Sequence, residues 1–144
     1  MNSEDYDDPE VEAQWLVEQR GNVQRYLVGQ GVQHPDVDVD AAWFIAPYVS
    51  LWTVSSLAKP PAVGWWAISG DLPTDYLSGN DATGPRSALD AFSKRWREVA
   101  TYMIRGEVHP TIKVGSRQND PQLGDLLMRR AQIIDGWVQD AIMW

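Results

Sequence analysis

The sequence has no cysteine, which excludes disulfides, thiolate nucleophiles and cysteine-ligated metal sites. That absence fits a reducing compartment. Histidine is almost as scarce. The two present, His34 and His109, each precede a proline and stand far apart, with no HExxH or similar ligand spacing. Long apolar runs are missing too. The longest, Ala41–Val49, contains Pro47 and is well short of the ~20 residues needed to cross a bilayer. The N-terminus is acidic (Glu4, Asp5, Asp7, Asp8), whereas a secretory signal begins basic and then turns apolar. A cytoplasmic protein is expected.

Basic residues are short in one part of the chain. Residues 1–40 hold ten acids against Arg20 and Arg25, and residues 41–144 hold ten acids and ten bases, so the first forty residues carry the whole net charge of -8. Such a surface repels phosphates, which argues against nucleic acid and anionic membranes as partners. It suits a basic protein, whose encounter it would steer. A solubilising surface is the plain alternative.

At 144 residues the chain suits one domain, read as residues 8–144 behind a disordered acidic segment 1–7. Asp8 and Pro9 make a helix start with an N-cap carboxylate and a proline in the first turn. Val11, Trp15, Leu16, Val23, Tyr26 and Leu27 form its face, and Gly29 and Gly31 end it. Trp43–Ser56 is aromatic and β-branched and reads as a strand, with Pro47 at an edge or bulge. Lys59–Pro60–Pro61 is a turn, and Val63–Ser69 is a second strand in hairpin with the first. Gly70–Gly84 reads as irregular. Pro85–Arg105 reads as a helix with a seam of Leu89, Phe92, Trp96, Val99 and Met103. Thr111–Val114 offers a short third strand. Asn119–Asp120–Pro121 opens a last helix whose main face is Leu123, Leu127, Ala131, Ile134 and Val138, broadened by Leu126, Ile133 and Trp137. The expected class is α+β, a small antiparallel sheet packed against three helices, in the order α-β-β-(β)-α-α.

Chemistry-bearing residues concentrate in Gly64–Trp65–Trp66–Ala67–Ile68–Ser69–Gly70–Asp71–Leu72–Pro73–Thr74–Asp75–Tyr76. In a regular strand Trp65 and Trp66 diverge to opposite faces. A sheet covered on one side only would leave an aromatic face open for binding. The alternative is that both faces are core. Asp71 and Asp75 flank a proline turn and could converge as an acid/base pair or cation ligands, or simply cap turn amides. The binding candidates are therefore Trp52, Trp65, Trp66, Asp71, Asp75 and Tyr76.

Other motifs fail on inspection. Asp36–Val37–Asp38–Val39–Asp40 alternates like the start of a calcium loop, but Ala41 and Pro47 stand where that loop needs glycine and glutamate. Asp36, Asp38 and Asp40 are instead candidates for an acidic steering patch. Ser69 lacks the flanking glycines of a nucleophile elbow. Gly79–Gly84 lacks the lysine of a phosphate loop. No cofactor or metal is expected.

The segments Trp43–Trp52 and Gly64–Tyr76, with Pro85–Arg86 and Trp144, resemble a family of small bacterial proteins, mainly proteobacterial, that is known as a domain of unknown function. The resemblance covers most of the chain from Trp15 onward. It implies a stand-alone cytoplasmic bacterial protein and transfers no activity and no catalytic residue. The reading is a non-catalytic protein-binding module, in its most concrete form an inhibitor or immunity-type protein acting on a basic partner. The alternative is a small-molecule-binding protein or hydrolase-like enzyme, with a Trp-walled pocket and the Asp71/Asp75 pair. A homodimer through an open sheet face or through the seam of the second helix is a third reading.

Overall fold

The computed structural model describes residues 5–55 and 63–144, and the chain divides into two compact units, one up to Asn80 and the other Asp81–Trp144. Of the acidic segment 1–7, residues 1–4 lie outside the described residues. Asp5–Asp8 form a turn in which Asp8 N donates to the Asp5 carbonyl (3.0 Å). The turn at Lys59–Pro60–Pro61 also lies outside the described residues.

The first unit is one helix on one sheet. α1 (Pro9–Gly29) starts as its sequence dictates, with the Asp8 carboxylate accepting from Glu10 N at 2.9 Å. Gly31, at φ +91°, lies just beyond its end. Trp15, Gln19, Val23 and Leu27 are its buried line, spaced four apart. Among the described residues the sheet has five strands, all antiparallel: β1 (Asp36–Val37), β2 (Trp43–Ile45), β3 (Val49–Ser55), β4 (Val63–Gly70) and β5 (Leu72–Ser78). β3 is central. It pairs with β4 along one edge, and with β1 and β2 in succession along the other. Val23 and Leu27 of α1 pack with Val37, Trp52, Val54 and Ala67 in one core on one face of the sheet.

Two strand expectations need correction. The span read as one strand from Trp43 is two, folded back at Ala46–Pro47–Tyr48, with a cis peptide before Pro47 and Tyr48 N donating to the Ile45 carbonyl at 2.7 Å. Proline has no ladder donor, so it sits in the reversal and not in a strand. The stretch after Gly70 is not irregular throughout, because β5 occupies Leu72–Ser78. Its signal is masked by Pro73 and Asp75. The β4–β5 pairing steps from Ile68↔Asp75 to Gly70↔Leu72, leaving Pro73 and Thr74 against Ser69 alone. A bulge of two residues against one is a place where proline's missing N–H costs nothing.

In the second unit, α2 (Pro85–Ile104) and α3 (Pro121–Gln139) pack on each other. The α2 seam Leu89, Phe92, Trp96, Val99 and Met103 is buried as its spacing predicts. Gly124 of α3 lies so close to α2 that a β-carbon there would stand 2.7 Å from Met103 Cβ. Ser93 Oγ donates to the Ala131 carbonyl (2.8 Å), and Arg97 pairs with Asp135 (3.0 Å). α3 starts at the Asp120 cap and ends at Gln139. It buries Leu127, Ala131, Ile134 and Val138, while Leu123, Leu126 and Ile133 face outward.

Thr111–Val114 is not a strand. Its backbone is satisfied by side chains: His109 Nδ1 accepts from Thr111 N (3.1 Å) and Ile112 N (2.9 Å). Gln118 accepts from Val114 N and donates to the carbonyls of Val114 and Gly115. With those groups taken, no ladder partner is needed. The α+β class and the element order stand, with α1 on the sheet and α2 on α3.

Candidate functional site

The two aromatic segments singled out in the sequence meet at one end of the sheet. The β2–β3 reversal at Tyr48 lies against the β4–β5 reversal at Asp71, and Asp71 N donates to the Tyr48 carbonyl at 2.9 Å. Gly70, at φ +152°, makes this possible, because a β-carbon there would overlap the Tyr48 carbonyl oxygen. The clamp holds Tyr48 at the surface, 54% exposed, with the exposed Asp71 beside it. Pattern reading of the sequence did not single out Tyr48. The two segments carrying it were visible, but nothing in either indicates that their turns touch.

The six binding candidates do not assemble into a pocket. Trp52 is core: its indole N–H donates to Ser50 Oγ (2.9 Å), which donates to the Ser69 carbonyl (2.8 Å). Ser69 Oγ in turn donates to Gln19 Oε1 on α1 (2.5 Å). This buried polar chain ties helix to sheet, and each of its members is matched, as burial requires. Trp65 and Trp66 diverge as the strand period demands, Trp65 half-buried toward the α1 face and Trp66 buried on the other. Tyr76 is half-buried, edge-on to Tyr26 with ring centroids 5.9 Å apart.

Asp71 and Asp75 also part company. Asp71 is exposed at the turn, whereas Asp75 is buried opposite Ile68 and accepts from Tyr76 N at 2.9 Å. The two carboxylates therefore do not form a convergent pair. Of the two readings of the strand faces, burial favours core: Trp52 and Ala67 are buried on the α1 side, and Leu51, Trp66, Ile68 and Leu77 point the other way and are buried too. Bulky aromatics on both sides of these strands are core.

The Asp36–Asp40 segment is exposed and hydrogen-bonded to both α1 and β3. Asp36, Asp38 and Asp40 are all exposed on the segment leading into β2. Val37 turns inward to pair with Val54, as the alternation predicts, but Val39 turns outward and is 78% exposed. Arg20 of α1 holds this segment by its backbone. Its Nη2 donates to the Val37 carbonyl (2.6 Å) and its Nε to the Asp38 carbonyl (2.9 Å). Asp38 N and Ala42 N donate to the Thr53 and Leu51 carbonyls of β3. None of the three carboxylates is in an ion pair among the described residues; the one side-chain contact is Thr53 Oγ1 to Asp38 Oδ2 at 3.5 Å. Charge divides as the units do. Residues 1–80 hold twelve acids and three bases, and residues 81–144 hold eight acids and nine bases.

The second unit gathers the remaining marked residues. Trp144 donates its indole N–H to the Trp137 carbonyl (3.1 Å), and the Arg86 guanidinium lies 6.0 Å from its ring centroid while Arg86 Nε donates to the Val138 carbonyl (2.9 Å). They line an open concavity of about 430 Å³ with Thr83–Ser87. His109 is buried and structural. With Nδ1 accepting two backbone N–H groups, its proton is on Nε2, which faces Glu98 Oε1 at 2.9 Å. His34 is a loop residue at φ +49°. No group of three or more metal-ligating side chains occurs among the described residues, and no described helix is long and apolar enough to cross a membrane.

Residues 10–144 match the family described as a domain of unknown function, DUF4826. The chain belongs to this family. The match takes in all the helices and strands except the first residue of α1, so the clamp, the acidic segment and the Arg86–Trp144 contact all lie within the DUF4826 region. No curated protein and no solved structure matches the chain.

Proposed function

We propose that this DUF4826 protein is a non-catalytic protein-binding module that recognises a basic protein through the Asp36–Asp40 segment. One observation carries the reading: three exposed carboxylates, outside any ion pair among the described residues, flank the exposed Val39 on a backbone pinned by Arg20. Three carboxylates outside any ion pair, against the single Arg20 cation on the backbone between them, leave a net negative field for a partner, and a pinned backbone loses little entropy on binding. Val39 supplies apolar contact at the centre of the charged rim. The acid excess of residues 1–80 extends the same field and favours fast, salt-sensitive association. The narrower form of the proposal is an inhibitor or immunity-type protein of the bacterial cytoplasm that covers a basic active surface.

The test is capture at low salt from a lysate of the source organism, with the wild type and the Asp36→Asn/Asp38→Asn/Asp40→Asn variant as baits. A basic protein retained in stoichiometric amount by the wild type, lost with the triple variant and eluted by moderate salt, is the expected result. Equal retention by both baits, or no retained protein, refutes the proposal. The narrower form requires in addition that the captured protein lose its own activity when titrated with the wild type and keep it with the variant.

A further inference from the structure

α3 carries a second face. Its inner line, Gly124, Leu127, Ala131, Ile134 and Val138, is buried. A different line runs through Arg129, Ile133, Gly136 and Asp140, at steps of four, three and four, which brings them to one side of the helix. All four are exposed, Ile133 at 45%, and Leu126, one step before Arg129 on the same side, at 43%.

Two features of this line, Arg129 and Gly136, lack an internal explanation, and a third, Asp140, serves only as a local cap. Arg129 makes no hydrogen bond or ion pair among the described residues. The Asp140 carboxylate accepts Ile142 N at 3.0 Å and is in no ion pair there. Gly136 is in the last turn of α3, where glycine still costs up to about 1 kcal/mol relative to alanine. Yet a β-carbon there would meet nothing within 4 Å, whereas at Gly124 it would meet α2. Gly124 is explained by close packing inside the chain, and Gly136 is not.

We propose that this line is the interface of a two-fold homodimer, with α3 packed antiparallel on α3 of a second copy. The chemistry of the line is complementary to its own reverse. Set antiparallel about the midpoint between Ile133 and Gly136, each Arg129 faces Asp140 of the second copy and each Ile133 faces Gly136 of the second copy. Every contact occurs twice, as an isologous interface requires. The glycine gives the isoleucine a notch and lets the backbones approach, the role Gly124 has toward α2. A parallel pairing would set Arg129 on Arg129 and Asp140 on Asp140, so charge selects the antiparallel register. This dimer uses neither surface expected from the sequence, because the sheet faces and the α2 seam are buried. It is also independent of the acidic segment.

One helix line is a small interface, so association is expected in the micromolar range. Sedimentation of the full chain over roughly 5–500 µM reads it directly. The wild type should show a reversible monomer–dimer equilibrium. Arg129→Asp or Asp140→Arg alone should weaken it by about tenfold or more, and the two together should restore it to within about threefold. Because Asp140 also caps Ile142, Asp140→Asn, which keeps the capping oxygen, should weaken the dimer too. Gly136→Leu should abolish it while the monomer keeps its helical circular dichroism. A wild type that is monomeric at every concentration overturns the proposal. So does a dimer that survives Gly136→Leu, or a double charge swap no better than the single ones.

Discussion

Gly70 stands where any β-carbon would overlap the carbonyl oxygen of Tyr48, and the next amide, that of Asp71, donates to that same oxygen. One carbonyl thus joins two reversals that lie more than twenty residues apart in sequence. Gly70→Ala should therefore be severely destabilising, by about 2–4 kcal/mol, from the left-handed φ and from forced separation of the turns. Tyr48→Ala, which removes an exposed ring and leaves the carbonyl in place, should stay within about 0.5 kcal/mol. Urea unfolding of both variants checks the contrast.

Ser50→Ala should cost about 1–3 kcal/mol although it deletes a single oxygen. The buried Trp52 indole N–H would lose its acceptor, and the desolvation of that group would go uncompensated. Trp52→Phe should cost less in the Ser50→Ala background than in the wild type, because there the donor it removes is already stranded. A double-mutant cycle in urea reads this coupling, and independent, additive losses would contradict it.

His109→Ala should leave α2 and α3 helical while releasing the connection between them. Its Nδ1 is the acceptor for two adjacent amides, so the variant strands two donors at once. The expected readout is loss of hydrogen-exchange protection at Thr111 and Ile112, with a stability loss of about 2–3 kcal/mol. Glu98→Gln, which keeps an acceptor facing Nε2, should do much less.

Within α3 two glycines should respond in opposite directions. Gly124→Ala should destabilise by about 1–3 kcal/mol, because Met103 and the Ile104 backbone already occupy the space. Gly136→Ala should raise monomer stability by roughly 0.5–1 kcal/mol, since it fills open space and lowers the entropy of the unfolded chain. Thermal unfolding at low protein concentration separates the two.

Arg20→Gln makes the chain more negative, yet it should loosen the acidic segment, because the lost donors held the carbonyls of Val37 and Asp38. If rigidity matters to recognition, partner affinity falls despite the added charge. An affinity that rises instead would mean that field alone decides it.

The helices were legible because their boundaries and buried lines are local properties. Asp8–Pro9, Asp120–Pro121 and the three-four spacing from Leu89 to Met103 depend on no distant residue. The sheet was legible where it is aromatic and β-branched. It was hidden where Pro47 turned one apparent strand into two, and where Pro73 and Asp75 disguised β5. What no local pattern carries is the meeting of distant backbone groups: Gly70 on Tyr48, Arg20 on Val37, His109 in place of a strand partner. Asp71 and Asp75 looked like a pair because they are close in sequence, and alternation at a bulged edge sent one out and the other in. The outward Val39 broke a strict alternation for a similar reason. The ladder of β1 ends at Val37, and beyond it the period of two no longer decides which way a side chain points.

The sheet wiring also bears on how residues 1–80 reach their fold. β2 with β3, β3 with β4, and β4 with β5 are each neighbours in sequence, and only β1 reaches past a strand, to Val54. Each of the three neighbour closures therefore spans a short connection, and the entropic cost of the longer β1 closure grows only logarithmically with length. Such a sheet can zip from one reversal to the next without waiting for a remote partner. Assembly in this order matches synthesis from the ribosome, where every strand from β3 onward emerges beside a partner already made.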